Sequence, residues 1–245
     1  SLLARVLATA AALAIGAGAA IASESVKLDR ALINPADVAS LQSGARTFVN
    51  YCLNCHGAAL VRYNQLTGIG LTEAQITDNL LFTGAKVGDM MKIAANAADQ
   101  KEWFGVVPPD LSVIARSRGP DWLYSYLRGF YRDPSRPIGW NNTGFPNVGM
   151  PHVLWPLQGI RDAKVETVSS HGHETKEIVL GAPAGGSQSA VDYDKTVLDL
   201  VNFLTWMGEP HAAERKRTGY YVLIALAVLI FLSYALKAAY WKDVH

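Results

Sequence analysis

Hydrophobic and polar positions divide the 245-residue chain into two apolar ends and a mixed middle. Residues 220–241, "YYVLIALAVLIFLSYALKAAYW", hold a single charge, Lys237. Twenty-two helical residues rise about 33 Å, enough to cross a hydrocarbon core of roughly 30 Å. Tyr220, Tyr221, Tyr240 and Trp241 stand where interfacial aromatics belong, and Lys237 can extend toward the headgroups. The pattern predicts a membrane anchor occupying residues 210–245. Residues 1–22 carry Arg5, an apolar run from Val6 to Ala22 and a small-x-small ending, Ala20-Ile21-Ala22, before Ser23. This segment reads as an export signal, either cleaved or retained as a second span at the lower limit of spanning length.

The middle, residues 23–209, alternates short helical periods with irregular stretches. "DVASLQSGARTFVNY" is periodic enough for a helix. "LTEAQITDNLLFT" and "PDWLYSYLRGFYR" predict two more, opened by Thr72 and Asp121 as caps. "YDKTVLDLVNFLTWM" predicts a last helix that stops at Gly208 and Pro210. Residues 132–160 are rich in Gly, Pro and Asn and read as loop. "AKVETVSSHGHETKEIVL" alternates like a hairpin, and "GAPAGGSQSA" after it reads as a flexible connection. No internal repeat is visible. The expected architecture is mainly helical, with long irregular segments wrapped around something.

Composition sharpens this in two respects. Hydrophobic residues make up 50% and charged ones 18%, and the two apolar ends account for the imbalance. The net charge of +1 excludes the basic excess of a nucleic-acid binder. Both cysteines lie in one motif, so no disulfide framework can exist elsewhere.

That motif is Cys52-Leu53-Asn54-Cys55-His56, C-x-x-C-H, which has three readings. A zinc site needs two further ligands, and the candidate pair His171 and His173 has a one-residue gap where about three to five are usual. A thiol–disulfide pair belongs at a strand-to-helix turn of an alternating βαβ pattern, which is not visible here. Covalent haem attachment explains the histidine directly: two thioethers fix the porphyrin edge and the adjacent imidazole of His56 reaches the iron. A haem would also supply core that short helices cannot build alone. For the sixth position the candidates are Met90, Met91, Met150, Met207 or a second histidine. Met207 lies in the last predicted helix as a packing residue. Met90 and Met91 fall in "GAKVGDMMKIAAN", where a core or helix-surface role is expected. Met150 lies in "NNTGFPNVGMPHVLW" between Gly149 and Pro151, where an irregular loop lets an unbranched thioether reach inward. His152 is its rival, although a lone loop histidine is expected at the surface. Met/His ligation raises a haem's potential, which suits an acceptor late in a respiratory chain.

The stretches "GARTFVNYCLNCHG" followed by "RYN", "WFGVVPPDLSVIARSRG", "DWLYSYLRGFY", "NVGMP" and "FLTWMGEPHAAERKRTGYYVL" resemble the cytochrome c1 family in its bacterial form. These are the haem subunits of ubiquinol–cytochrome c oxidoreductase. The resemblance implies a class I cytochrome c fold with long loop insertions, a small β-hairpin and a C-terminal transmembrane helix. It implies one haem c held by Cys52 and Cys55, ligated by His56 and Met150, with Pro108 and Pro109 packed on it and Arg118 paired with a propionate. It also implies electron transfer from a Rieske iron–sulfur protein to a soluble cytochrome c, beside cytochrome b in a dimeric multi-subunit complex that translocates protons. No quinol-binding or catalytic residue is expected in this chain, and no nucleic-acid partner. The expected location is the inner membrane of a bacterium, with residues 23–209 in the periplasm. The chain departs from the mitochondrial pattern around residues 161–195, so no docking residues are carried over there. That insertion has six acidic residues (Asp162, Glu166, Glu174, Glu177, Asp192, Asp194) against four basic ones, a mild bias that could steer a basic carrier.

The triplet Arg215-Lys216-Arg217 before the anchor would by itself place the preceding domain in the cytoplasm. Long domains translocate largely regardless of such charge, and the N-terminal segment sets the first crossing. The triplet then reads as a contact with lipid headgroups or a neighbouring subunit. Two alternatives keep their own signatures: a tethered cytochrome c feeding an oxidase, and an exported metal-stabilised binding module.

Overall fold

The computed structural model describes residues 28–170 and 173–242; the expected export segment 1–22 and His171 lie outside them. Helix α1 (Val38–Thr47) runs into a π-helical turn (Phe48–Cys52), then strand β1 (Ala58–Arg62), a 3-10 segment (Tyr63–Ile69) and α2 (Glu73–Leu80). Strand β2 (Met90–Met91) pairs antiparallel with β1, and α3 (Ala97–Phe104), α4 (Ile114–Arg118) and α5 (Pro120–Arg128) follow. Strands β3 (Phe130–Arg132) and β4 (Trp140–Asn142) form a hairpin, followed by α6 (Trp155–Gln158) and β5 (Gly159–Ile160). The second hairpin, β6 (Ala163–Ser170) with β7 (His173–Leu180), leads to β8 (Ala184–Gly185), which returns to pair with β5. Helices α7 (Ala190–Gly208) and α8 (Ala212–Trp241) close the chain.

The core is organised by α7, whose Val197, Leu200, Val201 and Phe203 are fully enclosed. Helix α1 crosses it at Gly44, and the approach is close. A Cβ on Gly44 would lie 2.1 Å from the Asp199 carbonyl oxygen and 2.6 Å from Phe203 Cβ. Polar side chains hydrogen-bond to one another across the contact. Ser40 Oγ donates to Asp199 Oδ1 at 2.7 Å, Lys195 Nζ donates to Asp199 Oδ2 at 2.7 Å, and Asn202 Nδ2 donates to Ser40 Oγ at 3.0 Å. Helix α5 packs on α7 as well. Arg128 at its end donates to both oxygens of Asp194 at 2.6 and 3.0 Å and to Asp29 Oδ2 at 2.7 Å. Asp194 is thus committed to a bidentate internal pair, and Asp192 accepts from Ser189 Oγ at 2.7 Å at the start of α7. Of these two charges Asp194 is compensated by Arg128, whereas Asp192 stays an exposed carboxylate.

Thr72 caps α2 as expected, in a reciprocal box with Gln75. Asp121 does not cap α5. The helix starts one residue earlier, at Pro120, whose missing N–H costs nothing in the first turn. The Asp121 carboxylate is thereby free to accept from Ala31 N at 2.7 Å, pinning the segment that precedes α1. Met90 and Met91 belong to a strand, not a helix, and Met91 is fully enclosed in the core. The supposed loop 132–160 contains β4, α6 and β5, and "GAPAGGSQSA" is not a free connection, because Gly159 and Gly185 pair across β5 and β8. Helix α8 starts eight residues ahead of the predicted span, taking in the basic triplet. None of its residues is buried against the other described residues. A helix apolar all round needs lipid or another protein to cover it.

Candidate haem site

The C-x-x-C-H motif begins where the π-helical turn ends. Such turns concentrate at functional positions, and this one finishes on Cys52. The chain then folds back on itself: the amides of Cys55 and His56 both donate to the Cys52 carbonyl, at 3.0 and 2.9 Å. This tight turn brings Cys52, Cys55 and His56 to the wall of one cavity. Gln100 of α3, almost fully buried, donates Nε2 to the Cys55 carbonyl at 2.9 Å and holds the turn from outside.

His56 is oriented by a partner 53 residues away. Its Nδ1 lies 2.7 Å from the Pro109 carbonyl oxygen. A carbonyl only accepts, so Nδ1 carries the proton and the Nε2 lone pair is left for a metal, an arrangement usual for ligating histidines. Burial lowers the imidazole pKa below its ordinary value, which favours the neutral, ligating form, although the Pro109 carbonyl and Asp110 act in the opposite direction. The segment carrying Pro109 is itself strapped to the motif. Asp110 Oδ2 accepts from Ala59 N at 2.7 Å, and Leu111 N donates to the Gly57 carbonyl at 2.8 Å.

The remaining predicted residues come from other segments and reach the same cavity: Pro108 and Pro109 before α4, Arg118 at the end of α4, and Met150 after β4. Gly149 lets the methionine segment pass Val106 closely, since a Cβ there would sit 2.7 Å from Val106 Cγ2. The Tyr126 hydroxyl donates to Met150 Sδ at 3.4 Å. The cavity measures about 630 Å³, within the range of roughly 300–1,000 Å³ for cofactor sites. Its wall is mostly apolar, with Val107, Leu123, Leu127, Val148, Leu200 and Leu204 among the contributors. Two thiols, an imidazole with a free Nε2, a thioether and this apolar enclosure fit a covalently held haem.

The same geometry bears on the competing readings. Burial, followed by the neighbouring Cys55, pushes the Cys52 thiol up to about 12, and burial also raises Cys55. A redox-active pair needs a lowered thiol pKa and an electropositive setting, the reverse of what surrounds these cysteines. Met207 is packed in the core, as expected, and Met91 is too. His152 is not at the surface. It is 2% exposed, stacked on Phe130 at 5.0 Å, and its Nε2 pairs with Gln158 Oε1 at 2.7 Å. Burial drives its pKa down to about 4. It is a neutral core residue, because the aromatic faces of Phe130 and Trp140 offer its ring a better site than water does.

Several cavity residues are not singled out from the sequence as site residues. Trp122, Tyr126 and Phe145 line the site. Asn141 and Asn142, in a stretch read only as loop, organise the path toward Met150 by accepting from the backbone of Asn147, Gly144 and Phe145. The four-residue spacing of Trp122 and Tyr126 could have shown that they share a helix face, but not which face meets the cavity.

The sequence model of the Cytochrome C1 family matches residues 30–174 and 184–244. The chain is 48% identical over 219 residues to cytochrome c1 of Allochromatium vinosum, covering 89% of this chain and 90% of the relative. It is 49% identical over 222 residues to a Nitrosomonas europaea protein named ammonia monooxygenase gamma subunit, covering 91% of each. Mitochondrial cytochrome c1 of Saccharomyces cerevisiae is 29% identical over 238 residues, covering 85% of this chain and 68% of the relative. Taken with the mainly helical fold, its short strand pairs and its long apolar C-terminal helix, these matches show that the chain belongs to the cytochrome c1 family, the c-type haem electron carriers of the cytochrome bc1 complex.

Proposed function

We propose that this chain passes single electrons from a Rieske iron–sulfur protein to a soluble cytochrome c, with Cys52 and Cys55 holding the haem, and His56 and Met150 ligating its iron. The observation that carries the reading is the convergence of four separate segments, bearing all seven predicted residues, on one apolar cavity. The haem, when bound, supplies reversible one-electron chemistry. The protein's part is to hold, orient and shield. Pro109 fixes the imidazole through its carbonyl, Pro108 packs on the haem, and the apolar wall excludes water. Low dielectric around a Met/His site favours the reduced state and a high potential.

Arg118 is the proposed cation for a haem propionate. Its guanidinium sits over the Trp122 ring, 5.1 Å from the centroid, at the cavity wall. Arginine's fork suits a carboxylate, and removing it would leave that charge without compensation. Arg118→Ala is expected to lower the haem's midpoint potential, because an unpaired propionate favours the ferric form; an equilibrium redox titration measures this. An unaltered potential would return Arg118 to the solvated surface.

The proposed layout is a periplasmic haem domain, residues 23–209, tethered to the inner membrane of a bacterium by residues 210–245. Because none of the described residues buries any part of α8, it is expected to pack beside cytochrome b in a dimeric, proton-translocating complex. Extraction in mild detergent should bring down a b-haem protein and an iron–sulfur protein with this chain, in a preparation that reduces cytochrome c when given quinol. A chain that purifies alone and accepts electrons only from soluble donors would point to a tethered carrier instead. Monooxygenase subunits in place of the b-haem protein would favour the assignment carried by the Nitrosomonas europaea relative's name.

A further inference from the structure

The hydrogen bond from the Tyr126 hydroxyl to Met150 Sδ, 3.4 Å long, joins a good donor to a weak acceptor. Tyr126 lines the haem cavity, as Met150 does. Its ring has little freedom. Trp122, one turn earlier on α5, stacks on it with centroids 4.7 Å apart and planes 11° apart, and Phe130 meets it edge-on at 5.1 Å. The hydroxyl is therefore aimed by packing.

The same residue also holds the methionine segment by its backbone. The Tyr126 carbonyl accepts from Asn142 Nδ2 at 2.7 Å. Asn142 Oδ1 in turn accepts from the amides of Gly144 and Phe145, at 2.8 and 3.1 Å, and Asn142 is fully buried. The stretch from Gly144 to Met150 is thus fastened near its start through the Tyr126 carbonyl and at its end through the Tyr126 hydroxyl.

We propose that Tyr126 is a positioning residue for the iron's sulfur ligand, its hydroxyl aiming Met150 Sδ and drawing electron density from it so that the haem's potential is raised. The proposal rests on the reading of Met150 as that ligand. A sulfur that shares a lone pair with a proton is a poorer donor to iron. The ferric ion gains more from such donation than the ferrous ion, so the hydrogen bond favours the reduced state.

The test is Tyr126→Phe in the full chain within its membrane complex. Phenylalanine keeps the stack between Trp122 and Phe130 and removes only the donor. Loss of one hydrogen bond of ordinary net strength corresponds to about a three- to tenfold fall in the reduced-to-oxidised ratio at a fixed ambient potential. The sulfur–iron charge-transfer absorption should persist at a shifted wavelength. Tyr124→Phe, which alters a neighbouring tyrosine set against Arg128 at 4.5 Å, should leave the ratio where it is. If Met150→Leu abolishes the absorption while Tyr126→Phe moves neither ratio nor wavelength, this proposal alone fails. If Met150→Leu keeps the absorption, the ligand assignment fails and takes the proposal with it.

Discussion

Replacing Met150 by leucine is expected to leave the haem covalently attached while abolishing the sulfur–iron charge-transfer absorption and lowering the midpoint potential. The proposed attachment points, Cys52 and Cys55, belong to a different segment of the chain that lines the same cavity. Leucine is close to methionine in volume and apolar, so the wall stays filled and the cost in packing is small. What disappears is the thioether. Axial ligands set haem potentials over a range of roughly 0.8 V, and the loss of a sulfur ligand should take a fall on the order of tenths of a volt from it. Visible spectroscopy of the ferric protein and a redox titration measure the two effects. Persistence of the absorption in Met150→Leu, with its loss in Met90→Leu, would move the ligand to the β2 segment. The structure makes that alternative costly for Met91, which is fully enclosed among core residues.

The second large effect is expected far from the haem. Gly44→Ala places a methyl group 2.1 Å from the Asp199 carbonyl oxygen. The obstacle is backbone, so no side-chain rotation relieves it, and α1 and α7 must move apart. In an exposed helix the same substitution would stabilise by about 1 kcal/mol through propensity. Here overpacking, typically about 1–3 kcal/mol and more where the backbone is rigid, outweighs that gain. Separating the helices would also stretch the Ser40–Asp199 hydrogen bond, now 2.7 Å, around a carboxylate that is almost fully buried. A net loss of about 3 kcal/mol corresponds to a fall in Tm of roughly 6–12 °C for a domain of this size. Thermal unfolding of the haem-loaded protein, followed in the Soret region, measures it. A Tm unchanged or raised would show that the helices do not approach at Gly44 as closely as described.

The Gly44 crossing, the Tyr126 contact and the buried His152 share one feature: each joins residues distant in sequence or depends on which side of an element faces inward. Periodicity identified α1, α2, α5 and α7, because a helix is set by neighbours three and four positions apart, and those neighbours are on the page of the sequence. The caps were legible only in part. Thr72 and Gln75 form a local box, whereas the role of Asp121 depends on Ala31, 90 residues away.

Sequence by itself determined what is written within a single stretch of chain. The C-x-x-C-H motif places two thiols and an imidazole within five residues, and the run at 220–241 has the length and composition to cross a membrane. No packing could alter either. The tertiary structure alone decided which carbonyl sets the tautomer of His56, which glutamine braces Cys55 and which hydroxyl meets Met150, through contacts spanning 53, 45 and 24 positions. It also turned Met91 and His152 inward and drew Gly159 and Gly185 into a strand pair. The physical reason is that burial and hydrogen-bond satisfaction are properties of the whole packed core. A side chain's partner is set by what the rest of the chain leaves unpaired beside it, and that is fixed only once the helices have crossed.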